Sequence, residues 1–200
     1  MKVCITLDDV IRAKTRQFGK ILAKSKGEKE DALSSVEVTT NDLCSVFGFK
    51  SRNEYNEFLY KDYPFEIFAE APVMERMLDK HLNLWLLGLE NTEGCEDIEF
   101  VIANPYEFNA SIGYTCFFLS QIATRIREFH FPKNSSDIWN ICDVLITADP
   151  KLLAEKPEGK IAIKIDTDYN KDNVADYSYE SLSKLMEDNE ITRKFRGEND

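Results

Sequence analysis

The stretch KVCITLDDV, residues 2–10, decides the fold. Val3, Cys4 and Ile5 form a continuous apolar run, the pattern of a strand buried on both faces. The run passes through Thr6 and Leu7 into two carboxylates, Asp8 and Asp9. Adjacent acids at a strand end either cap a helix or serve a site that needs negative charge. An N-cap at Asp8 or Asp9 predicts a helix over VIRAKTRQFGKILAKSK, residues 10–26.

Working outward, apolar residues at helical spacing predict helices at DLCSVFG (42–48), RNEYNEFLYKDY (52–63) and VMERMLDKHLNLWLLGLEN (73–91). The pattern then changes. IEFVIANP (98–105), CDVLITADP (142–150) and GKIAIKID (159–166) read as strands, and FHFP (129–132) as a short one. Helices are expected over 109–127 and about 177–188. Strands alternating with helices imply an α/β fold of three layers, α/β/α, Rossmann-like, around a mostly parallel sheet. The division expected is a core of residues 1–27 and 93–200 with a small helical cap insertion at 28–92. In such sheets functional groups gather at the carboxyl ends of the strands. Here those ends are Thr6 to Asp9, Ile102 to Pro105, Thr147 to Pro150 and Ile165 to Asp168.

Composition bounds the partners. The 200 residues carry a net charge of −11, with 43% hydrophobic and 12% aromatic content. That is enough apolar material for a core. The acidic field argues against a nucleic-acid polymer or an anionic membrane. The basic residues Arg12, Lys14, Arg16, Lys20, Lys24, Lys26 and Lys29 read as a solvated helix face. No long apolar segment follows Met1-Lys2, so the expected location is cytoplasmic. The five cysteines are odd in number, widely spaced and without a CxxC pair, which fits free thiols. His81 and His130 are far apart and read as partly buried structural residues. The aromatics Tyr55, Phe58, Tyr60, Tyr63, Phe65, Phe68, Phe117 and Phe118 read as core, with a docking patch on the cap as the rival reading.

Two of these stretches together carry a family resemblance. CDVLITADPKLL followed by GKIAIKIDTDYN resembles the C-terminal half of a haloacid dehalogenase (HAD)-like phosphatase, in the 5′(3′)-deoxyribonucleotidase-like branch. ITLDDVI resembles the first motif of that family, apolar residues followed by Asp-x-Asp, and the helical insertion matches its cap position. The resemblance implies an Asp nucleophile, a second Asp two residues on as acid/base, and magnesium held partly by two acids of the fourth motif. Carried over residue by residue, the motifs are incomplete. With Leu7 as spacer, Asp8 takes the acid/base position as a vestige, and Thr6 stands where the nucleophile belongs. Thr147 and Ala148 stand where the two metal-binding acids belong, followed by Asp149 and Pro150. In the second motif Asn104 replaces the expected hydroxyl residue. In the other register Asp8 is the nucleophile and Val10 replaces the proton donor.

The resemblance therefore implies a pseudoenzyme with no cofactor and no metal, its crevice lined by Thr6, Asp8, Asn104, Thr147 and Asp149. It would bind a small phosphorylated ligand or a protein partner. The alternative is an active phosphohydrolase acting on nucleotides or small phosphate esters, with magnesium held by Asp8 and Asp149.

Overall fold

The computed structural model describes residues 1–29, 32–33, 36–40, 42–105, 108 and 110–195. Parts of the expected cap insertion at 28–92, and residue 109 of the expected helix 109–127, lie outside them. The first strand, β1 (Lys2–Ile5), is followed by helices α1 (Lys14–Ser25), α2 (Leu43–Val46), α3 (Arg52–Glu57), α4 (Pro64–Phe68) and α5 (Leu78–Glu90). A π-helical turn at Phe58–Asp62 continues α3. Then come β2 (Glu99–Ala103), α6 (Ala110–Ile122), β3 (Glu128–His130), a 3-10 turn at Ser135–Asn140, β4 (Val144–Thr147), α7 (Pro150–Ala154) and β5 (Ile161–Ile165). A 3-10 turn at Asp168–Asn170, β6 (Tyr177–Tyr179), α8 (Leu182–Glu187) and α9 (Asn189–Phe195) are the last elements among the described residues.

The sheet has six strands in the order β3-β2-β1-β4-β5-β6. Every ladder is parallel. This is the doubly wound α/β arrangement, and the chain reverses direction across the sheet between β1 and β4. A crevice opens at that point, outside the carboxyl ends of the two strands.

Alternation along the strands divides the core. Val3, Ile5, Ile102, Ile146 and Ile163 join one cluster with Leu78, Leu82 and Leu86 of α5, Phe118 of α6 and Leu182 and Leu185 of α8. Cys4, Val101, Leu145 and Ala162 face the other way, against Ile138, Trp139, Leu152 and Leu153. A third cluster, built by Phe18, Leu22, Phe47, Tyr55, Phe58 and Phe68, joins α1 to α2, α3 and α4. Packing thus groups α1 with the small helices and α5 with the sheet.

Several expectations need correction. The final helix expected from 177 begins at Leu182, because Tyr177–Tyr179 pairs with β5 as an edge strand. The first helix begins at Lys14, because residues 10–12 are closed into a turn on the Leu7 carbonyl and Asp9, with a left-handed φ of 58°, does not take the extended backbone of an N-cap. The last long helix before β2 begins at Leu78, after a left-handed Met77. His81 is exposed and not partly buried, and so are Phe65 and Phe117 at 40% and 46%. The five thiols are free, and Cys4, Cys95 and Cys142 are buried. Among the described residues no helix is long and apolar enough to cross a membrane.

Candidate functional site

The loop after β1 is a wound turn. The Leu7 carbonyl accepts from the backbone N–H groups of Val10, Ile11 and Arg12. The segment near residue 73 pins it, since Ala13 donates to Pro72 and Met74 donates to Ile11. Asn104, just past β2, closes the other side. Its Oδ1 accepts from the N–H groups of Leu7 at 3.1 Å and Asp8 at 3.3 Å, and its Nδ2 donates to Asp8 Oδ2 at 3.3 Å. The backbone N–H of Asn104 extends the β2–β3 ladder to His130.

Thr6 and Thr147 meet at the centre of the switch point. Thr6 Oγ1 donates to Thr147 Oγ1 at 3.1 Å, and Thr147 Oγ1 accepts from the N–H of Asp149 at 3.0 Å. Both threonines are buried, and Ala148 beside them is fully buried. Among the described residues the partners of these two hydroxyls are each other, the Ile146 carbonyl and the Asp149 N–H, none of them a base that would make a nucleophile. Asp149 caps α7, its Oδ1 accepting from Lys151 N–H at 2.8 Å.

The two acids of the opening stretch behave differently. Arg12 Nε and Nη2 both donate to Asp8 Oδ1, and Lys14 Nζ donates to Asp8 Oδ2 at 3.0 Å. Arg12 is wholly buried. Its Nη1 also donates to the Phe68 carbonyl at 2.9 Å and Thr115 Oγ1 at 3.0 Å. Its guanidinium lies 5.3 Å from the Phe68 ring centroid and 5.4 Å from that of Phe118. One side chain therefore ties the β1 loop to α4 and α6. Burial pushes the Asp8 carboxyl up, but Arg12 and Lys14 outweigh it and hold the group well below the usual carboxylate range. Burial lowers the Lys14 ammonium's pKa, and the Asp8 charge outweighs that and raises it.

Asp9 faces neutral donors. Its Oδ1 accepts from Thr15 N–H at 3.0 Å, and its Oδ2 accepts from the Thr15 hydroxyl and from the Tyr169 hydroxyl at 2.9 Å. Asp9 thus satisfies an amide at the start of α1 from outside the helix, as the capping reading expected of one of the pair. Burial pushes its carboxyl up. Burial does the same to Asp149 and to the Tyr169 hydroxyl.

These groups line a cavity of about 180 Å³ together with Tyr55, Leu43, Leu152, Pro105 and Pro150. Of the residues expected from sequence, Thr6, Asp8, Asn104 and Asp149 line it, and Thr147 lies just beneath through its bond to Thr6. Lys14, Tyr55 and Tyr169 also line it, and Arg12 stands behind Asp8; sequence reasoning assigned none of the four to the crevice. Arg12 and Lys14 belong to no solvated face. A legible signal existed, because Arg12 stands four residues after Asp8, a pairing distance in any helical turn. Asp166 and Asp168 stand outside the crevice, and Tyr169 between them and Asn170 turns inward.

Magnesium, which the resemblance implies for an active site, does not fit this donor set. Both oxygens of Asp8 are engaged by cations and by Asn104, and one oxygen of Asp149 caps a helix. Thr6, Thr147 and Ala148 supply no negative charge, whereas a magnesium site of this kind rests on carboxylates. Among the described residues no group of three His, Cys, Asp or Glu is placed to hold a metal.

Neither protein-family models nor curated proteins give a match to this chain. One solved structure that is similar in overall chain path is a Burkholderia xenovorans LB400 protein assigned to the haloacid dehalogenase-like hydrolases. It shares 9% identity, with 96% of this chain and 97% of that chain covered, at a TM-score of 0.46. No residue role is transferred from it.

Proposed function

We propose that this protein is a HAD-like chain without phosphatase catalysis that acts by binding a small ligand in the switch-point crevice. The observation that carries this reading is the state of Asp8. A general acid must hold a proton near the working pH. Asp8 is held ionised by Arg12 and Lys14, so it has no proton to give to a leaving group. Thr6 in the nucleophile's position adds a buried hydroxyl bonded to another threonine.

The crevice has what a small polar ligand needs. The Lys14 ammonium, the Thr15 hydroxyl, the Asn104 amide and two tyrosines converge on about 180 Å³. That volume is below the roughly 300–1,000 Å³ of sites for drug-sized molecules. It suits a head group such as a phosphomonoester.

The test has two arms. The protein is incubated with magnesium and a panel of nucleoside monophosphates and an aryl phosphate, beside Asp8→Asn. No turnover that depends on Asp8 is expected, and such turnover would overturn the non-catalytic reading. Thermal shift with inorganic phosphate and the same monophosphates, without metal, tests binding. A rise in Tm that is lost in Lys14→Met is expected, since a ligand bound only by the folded state stabilises it. No shift with any of them removes phosphorylated ligands from the proposal.

A further inference from the structure

We propose that a second cavity, on the far side of Asp9 and Tyr169 from the crevice, binds a small amphipathic organic acid. This cavity of about 400 Å³ lies between α1 and the turn that follows β5. Its size falls within the usual range for small-molecule sites, which the crevice does not reach. Val36, Val38, Phe47 and Met74 give it an apolar wall, and Arg16 and Lys20 stand on its α1 side.

The charges decide what kind of head group fits. Two acids, Asp166 and Asp168, line the opposite side, but both are already balanced. Asp166 Oδ1 pairs with Lys164 Nζ at 3.2 Å and accepts from the Ser178 hydroxyl, and Asp168 pairs with Lys171 at 2.6 Å. Asp9 also borders the cavity, with both its oxygens engaged by Thr15 and Tyr169. Arg16 and Lys20 have no ion-pair or hydrogen-bond partner among the described residues. They lie one helical turn apart, so the planar guanidinium and the ammonium can meet the two oxygens of one carboxylate. An apolar tail then lies along Val38 and Phe47. A cationic ligand meets repulsion at the α1 side, and a neutral one leaves both cations without an added partner.

The two cavities share Asp9, Thr15 and Tyr169 as a wall, but the cations are different, Arg16 and Lys20 here and Lys14 in the crevice. The experiment compares octanoate, octan-1-ol and octylamine by thermal shift and calorimetry on the full chain. Octanoate is expected to bind about tenfold more tightly than the alcohol, the size of one charge-assisted contact pair. Octylamine is expected to bind no better than the alcohol. The double variant Arg16→Gln, Lys20→Gln changes only residues at the surface of α1. It should fold, as circular dichroism would register, and lose the preference for octanoate. Val38→Trp should reduce binding of octanoate and octanol alike by filling the apolar end. Equal affinity for the three compounds overturns the proposal. An octanoate response untouched by the double variant also overturns it. A response abolished by Lys14→Met, with the double variant unaffected, would place the ligand in the crevice instead.

Discussion

The carboxyl ends of β1 and β5 are held by different chemistry. After β1 the loop is fixed by charge: Asp8 sits between Arg12 and Lys14, and Arg12 reaches on to Phe68 and Thr115. After β5 the buried anchor of the loop is a neutral amide. Asn170 is fully buried, and its Nδ2 donates to the carbonyls of Ala148 at 3.0 Å and Ile165 at 2.9 Å. Its Oδ1 accepts from Thr167 N–H at 2.9 Å. Both devices bind a loop to the end of a neighbouring strand. A charged network is costly to break because a buried charge is left behind, whereas an amide leaves only unpaired dipoles. The contrast also bears on function. In the β1 loop the same charges that fix the backbone, Arg12 and Lys14, hold Asp8 ionised.

The largest effect should come from Arg12→Met. It leaves Asp8 with Lys14 as its cation and the Asn104 amide, and removes the donors to Phe68 and Thr115. Loss of one partner from a buried pair costs about 3–5 kcal/mol, to be read from urea unfolding at neutral pH. A loss below about 1 kcal/mol would show that the network is solvated and the contrast false.

Asn170→Ala should come next. It strands two buried carbonyls and one N–H, at about 1–3 kcal/mol for the unsatisfied groups. Its cost should be the same at pH 7 and pH 4, since no titrating group is lost.

The pH dependence separates the two ends more sharply. The folded pKa of Asp8 lies below its unfolded value, near 3.9 for an aspartate. Its contribution is therefore present above that unfolded value and is lost as pH falls through the folded one. Asp9 and Asp149 are raised by burial, so their contributions run the other way, falling as pH rises through the carboxylate range. Lys14 is raised, so its share is present below the ordinary lysine value and fades only in strong alkali. Stability followed from pH 7 down to pH 2 should drop less steeply in Asp8→Asn than in the unchanged protein. An identical acid limb would mean that the Asp8 pair contributes nothing.

How far the sequence foretold this arrangement depends on which force shaped each part. The parallel strands were legible because a strand covered on both faces must be apolar throughout, as Val3 to Ile5 and Val144 to Ile146 are. Thr6, Asn104 and Thr147 were legible because strand ends in such a sheet converge. The strand Tyr177–Tyr179 was not, because three residues at a sheet edge carry almost no period. Arg12 was missed for a physical reason. Taking Asp8 or Asp9 as an N-cap extends the helix through residue 12 and turns its guanidinium to solvent. The left-handed Asp9 delays the helix to Lys14 and drives Arg12 inward between Phe68 and Phe118.

The smallest effect tests whether the two ends are joined. Tyr169 belongs to the turn after β5, yet its hydroxyl donates to Asp9 after β1 at 2.9 Å. Tyr169→Phe keeps the ring and removes that bond. Asp9 retains its two contacts with Thr15, so the loss should be about 1 kcal/mol, the net worth of one hydrogen bond. Arg12→Met and Tyr169→Phe share no contact, but both act on the loop of residues 6–13. Additive costs in the double variant would make the charged and neutral ends independent clamps. A coupling above about 0.5 kcal/mol would mean that the β1 loop moves as one body held from both sides.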